Sequence, residues 1–121
     1  MAKGMYNEAI ALSQKALQTD PTSQRFFYVL GYAYAKAGRK REAVEVINRL
    51  KNISKEQYAI SSLIARIFAA LDERDEAFSL LEKAFEEREY SLLRLKVDPG
   101  FDSLRDDLRF QDLRRRMRLP Q

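Results

Sequence analysis

Residues 26–47 read FFYVLGYAYAKAGRKREAVEVI, two helix-forming runs joined through Ala37, Gly38 and Arg39. Phe27, Leu30, Tyr34 and Ala37 follow three- and four-residue spacing, which predicts one apolar face on a helix from about Gln24 to Ala37. Gly38 ends that helix, because glycine makes the left-handed turn without steric cost. A second helix from about Arg41 to Asn52 carries Ala43, Val44, Ile47 and Leu50 on its apolar side.

The second run is one copy of a frame that occurs three times. GRKREAVEVI at 38–47 is matched by GMYNEAIALS at 4–13 and DERDEAFSLL at 72–81. Glu8, Glu42 and Glu76 are spaced by 34 residues, as are Ala9, Ala43 and Ala77. Gly4, Gly38 and Asp72 keep the same interval, and so do Ala16, Leu50 and Ala84. A fixed period of this size is the signature of stacked repeats. The next period repeats the helix pair, with Ile60, Ile64, Ile67 and Phe68, a turn at 72–74, then Ala77, Phe78, Leu81, Ala84 and Phe85. Gly31 and Ala65 on first helices, and Ala43 and Ala77 on second helices, are small where paired backbones must approach.

The pattern Phe27-x-x-Leu30-Gly31-x-x-Tyr34, with Gly38, Ala43 and Ile47, resembles a tetratricopeptide repeat. Pro21 closes the preceding unit in the same style. Ser61, Ile64, Ala65, Phe68, Asp72, Ala77 and Ala84 occupy the matching places of the following unit. Lys55 and Glu89 stand where the family has its closing Pro, and Leu50 where it prefers Ala. The resemblance spans residues 4–89. It implies an all-α, right-handed superhelix of antiparallel helix pairs within a single domain: a half repeat at 4–21, full repeats at 24–53 and 58–88, and a C-terminal helical cap at 91–119.

After Glu89 the 34-residue period is expected to break. A short helical run from Ser91 to Lys96 meets Asp98-Pro99-Gly100, which no helix continues through. A last helix is expected from about Asp107, capped by that carboxylate, with Phe110, Leu113 and Met117 on one side. Residues 95–120, LKVDPGFDSLRDDLRFQDLRRRMRLP, resemble the tail that closes many tetratricopeptide arrays in bacterial multidomain signalling proteins. Such tails usually read Asp-Pro where this chain has Asp107-Leu108. The resemblance implies a lid over the last apolar face.

Composition narrows the chemistry. The 121 residues include no cysteine and no histidine, which excludes thiol chemistry, disulfides and every Ser-His or Cys-His arrangement. Asp106/Asp107 and Glu86/Glu87 are adjacent acidic pairs that do not face each other on a helix. The four glycines, at 4, 31, 38 and 100, are isolated and form no phosphate loop. We therefore expect no catalytic residue, no cofactor and no metal. No apolar run approaches the roughly 20 residues of a membrane span, and the sequence reads as cytoplasmic with no membrane partner. The net charge of +4 is distributed in blocks: +6 over 24–55, −5 over 56–89 and +3 over 90–121.

Three functions follow, in order. The resemblance implies a non-catalytic protein–protein interaction module, part of a larger bacterial regulatory protein, whose concave groove is lined by Arg25, Tyr28, Tyr32, Lys36, Ser62, Arg66 and Ala69. Arg25, Tyr28 and Tyr32 share a helix face and suit an acidic or C-terminal peptide. Val29 and Leu63 stand where chaperone-binding members carry Asn. The second reading is self-assembly into a homodimer through an apolar face drawn from Met5, Tyr6, Ile10, Leu12 and Leu17. The third is nucleic-acid binding through Arg105, Arg109, Arg114, Arg115, Arg116 and Arg118, a series interrupted by Asp102, Asp106, Asp107 and Asp112.

Overall fold

The computed structural model describes residues 3–53, 61–88 and 98–118. Among these there is no strand. The helices are α1 (Lys3–Thr19), α2 (Gln24–Lys36), α3 (Lys40–Ile53), α4 (Ser61–Ala70), α5 (Arg74–Glu86) and α6 (Leu108–Arg118), with a 3-10 turn at Pro99–Leu104 before α6. The expected run at Ser91–Lys96, together with Lys55, Ile60 and Glu89, lies outside the described residues. Contacts group the chain into two compact units, residues 1–59 and 60–121, where length alone predicts one domain. Repeats that touch only their neighbours cluster in this way.

In unit 1, α2 packs on both α1 and α3. Its interior holds Ile10 from α1, Phe27, Leu30, Ala33 and Tyr34 from α2, and Ala43, Val46, Ile47 and Leu50 from α3. Ala43 is fully enclosed, as the close approach of α2 and α3 requires. In unit 2, α4 packs on α5 and also on the 3-10 turn, and α5 packs on α6. Ile64, Ala65, Ile67 and Phe68 of α4 meet a core completed by Ala77, Phe78, Leu81, Ala84, Phe101, Leu104, Phe110 and Leu113.

The 34-residue frame is written into the backbone. At the end of α2, Ala37 N–H donates to Ala33 O, Gly38 N–H to Ala35 O and Arg39 N–H to Tyr34 O. At the end of α4, Leu71 donates to Ile67 O, Asp72 to Ala69 O and Glu73 to Phe68 O, the same three bonds one period later. The 6→1 bond is the mark of a Schellman ending, which needs a left-handed residue before it. Gly38 supplies it with φ +82°, and Asp72 supplies it with φ +61°.

The period does not break after Glu89. Helices α3, α5 and α6 begin at Lys40, Arg74 and Leu108, each 34 residues after the last. The bond from Ala43 N–H to Arg39 O recurs as Ala77 to Glu73 O and again as Gln111 to Asp107 O. The chain from 98 to 118 thus keeps the repeat's register while abandoning its apolar consensus.

Candidate protein-interaction surfaces

Helix α2 presents a solvent-facing stripe of Arg25, Val29, Tyr32 and Lys36, spaced by four, three and four residues. Val29 is 43% exposed, although its neighbours Phe27, Tyr28 and Leu30 are buried. Tyr6 of α1 stands edge-on to Tyr32, with ring centroids 6.4 Å apart, and Tyr32 is half-buried. Arg25 and Lys36 meet no carboxylate among the described residues. They stand at opposite ends of the stripe, about 16 Å apart by the helical rise. Tyr28 turns away: it is buried, and its hydroxyl donates to Gln24 Oε1 at 3.1 Å.

A concavity in unit 1 lies between α1 and α3, with a volume of about 350 Å³. Phe27, Leu30 and Tyr34 floor it, and Gln14, Leu17, Glu45 and Arg49 line its sides. Gln14 Nε2 donates to Tyr34 Oη at 2.7 Å across one end. Arg39 lies over the Tyr34 ring, 4.9 Å from its centroid, while paired with Glu42. That pairing raises the Arg39 pKa.

In unit 2 arginine carries the docking of the final segment. Arg109 lies 4.4 Å over the Phe78 ring and donates to Asp75 Oδ1 at 2.8 Å and to Asp107. Arg116 lies 5.2 Å over Phe85, pairs with Glu82, and places Nε 3.1 Å from Asp112. Both bridges to α5 join residues one period apart. Asp107 caps α6 by accepting from the Arg109 backbone N–H at 2.9 Å. The Arg109 guanidinium, that N–H and nearby Arg74 hold the Asp107 carboxyl at about 2, well below its usual range. Arg109 is in turn raised, by Asp107 and then Asp75, and Arg116 is raised chiefly by Glu82.

The family model for the tetratricopeptide repeat matches residues 1–67, more than half of the sequence. This chain belongs to the tetratricopeptide repeat family. No curated protein and no solved structure gives a significant match. Tetratricopeptide repeats generally act as non-catalytic modules that mediate protein–protein interaction. No helix among the described residues is long and apolar enough to cross a membrane.

The residues expected to line the repeat groove separate into two groups. Arg25, Tyr32 and Lys36 share the outward stripe, joined by Val29. Ser62 and Ala69 are each only 2% exposed and present no side chain to a ligand. Residues 98–104 explain this for Ala69: Ser103 Oγ donates to its carbonyl at 3.1 Å. Arg66 donates through Nε to Asp98 Oδ1 at 3.1 Å, and a Cβ on Gly100 would fall on its side chain. The self-association set is corrected in the same way. Ile10 is buried, and Tyr6, Ile10, Ser13 and Leu17 form the side of α1 turned toward α2 and the cleft. Met5 and Leu12 lie on a different side and are exposed.

Three of the six arginines of the arginine-rich end are engaged within the fold. Arg105 donates to Asp102 at 2.8 Å and to Asp98 O at 2.9 Å, and Arg109 and Arg116 are held as described. The Arg118 side chain lies outside the described residues.

Proposed function

We propose that this tetratricopeptide repeat protein is a protein-interaction module that binds an acidic segment along α2 of unit 1. The observation that carries the reading is the stripe Arg25–Val29–Tyr32–Lys36, with two cations that meet no carboxylate among the described residues flanking an exposed Val29 and a half-buried Tyr32. Unit 1 supports it with ten Lys and Arg against five Asp and Glu. An anionic partner is drawn to such a surface and a cationic one is repelled. Two carboxylates at the ends of a five-residue extended span are four residues apart, share one face and lie about 13 Å from each other, within reach of the long side chains of Arg25 and Lys36. Val29 and Tyr32 would receive apolar side chains between them. The reading agrees with the family's general role in protein–protein interaction.

The test is fluorescence anisotropy with an extended peptide carrying Glu at both ends of a five-residue span and Leu or Phe between. We expect binding that weakens as salt rises and falls at least tenfold in Arg25→Glu/Lys36→Glu, with helical content unchanged. Equal binding of a peptide with Lys in place of both Glu residues would overturn the reading.

A further inference from the structure

We propose that α1 is also a self-association surface, pairing with α1 of a second copy in antiparallel orientation about the level of Ala11. The side of α1 turned away from α2 carries Met5, Ala9, Leu12 and Ala16, spaced by four, three and four residues. Met5 is 57% exposed and Leu12 69%, while α1's other apolar side is used against α2. The two alanines set a shallow seam into which a facing helix settles closely, with each Leu12 opposite an Ala9 and each Met5 opposite an Ala16.

Charge selects the occupant and its direction. Glu8 and Lys15 sit side by side along one margin of the seam, and neither has a partner among the described residues. They lie about 10 Å apart by the helical rise, nearly equidistant from Ala11. A two-fold axis at that level brings each Glu8 beside the partner's Lys15 on the same margin, twice per dimer. Parallel pairing places the two margins on opposite sides and leaves all four charges unmatched. A surface that complements itself under one two-fold operation is the requirement for an isologous dimer. The face of one 17-residue helix falls short of the roughly 800 Å² per partner of a standard interface, so the dimer is a weak one.

Sedimentation equilibrium at low salt from about 10 μM to 1 mM tests this, since surface charge pairs act most strongly there. The wild type should rise from monomer mass toward twice that value. Glu8→Lys and Lys15→Glu should each weaken association roughly tenfold, because each turns two attractions into two repulsions. Both positions are exposed, and circular dichroism verifies that the helix persists. The double reversal Glu8→Lys/Lys15→Glu should return association to within about threefold of wild type. Since the single changes shift net charge in opposite directions, a general charge effect cannot weaken both. A monomer throughout the range would overturn the proposal and leave the Met5–Leu12 face to a different protein. A dimer indifferent to the single reversals, or not rescued by the double one, would overturn it equally.

Discussion

The last described helices of the two units, α3 and α6, are secured by different chemistry in the same register. In unit 1, α3 buries Ala43, Val46, Ile47 and Leu50 against α2, and its Arg41 and Arg49 meet no carboxylate among the described residues. In unit 2, α6 buries Phe110 and Leu113, and Arg109 and Arg116 tie it to Asp75 and Glu82 of α5. Two periods earlier, the positions of Asp75, Phe78, Glu82 and Phe85 hold Asn7, Ile10, Gln14 and Leu17. The positions of Arg109 and Arg116 hold Arg41 and Asn48. A frame fixes where a helix starts, and the residues at its margins decide whether burial or charge retains it.

The strongest way to break this contrast is to remove a buried leucine from each helix. Leu50→Ala should cost about 2–5 kcal/mol in urea unfolding, and Leu113→Ala should fall at the low end of that range. Leu113 belongs to the helix with less apolar burial, which relaxes more readily around a cavity. Equal losses would show that α6 is held as α3 is.

The turns come next in size. Gly38→Ala should destabilise the chain by about 1–2 kcal/mol, because a Cβ is strained at φ +82°. Asp72→Gly should gain up to about 1 kcal/mol, since Asp tolerates the left-handed region less well than glycine. Both are read from the unfolding midpoint. Transplanting one bridge into unit 1, as Gln14→Glu/Asn48→Arg, should add roughly 0.2–1 kcal/mol, the range of a surface ion pair. Placing the carboxylate alone should add less, and the difference measures the bridge.

The smallest effect appears only in acid. Because folding lowers the Asp107 pKa, its contribution is complete above the unfolded value near 4 and is lost as pH falls through about 2. Amide exchange at Arg109 and Gln111 should therefore quicken over that interval while exchange in α3 does not follow. Asp107→Asn should remove the pH dependence at the start of α6.

Much of this was legible in residues 24–53, where the apolar spacing, Gly38 and the small Ala43 agree with one another. The continuation of the period into α6 was not, because Gln111 and Arg115 replace Ala77 and Leu81 and erase the apolar signal. What survives is opposite charge one period apart, Asp75 with Arg109 and Glu82 with Arg116, a pattern that apolar periodicity never samples. The repeat pattern alone puts Ser62 and Ala69 in the groove, although small residues also mark places where other chain packs. On α1, counting apolar residues merged two sides that their angular spacing separates: 6, 10, 13 and 17 against 5, 9, 12 and 16.

A chain built on a recurring frame faces a hazard during folding that other chains do not, since a segment can settle one step early on a surface of nearly the same shape. The arginine bridges of α6 act against that error. One period before Asp75 stands Arg41, and one period before Glu82 stands Asn48. A final helix sampling that earlier site would set Arg109 against another arginine and leave Arg116 facing a neutral amide. Misplaced, it is repelled and released; placed after α5, both of its guanidinium groups find carboxylates and an aromatic ring. The segment therefore carries the address of its own neighbour, written in charge.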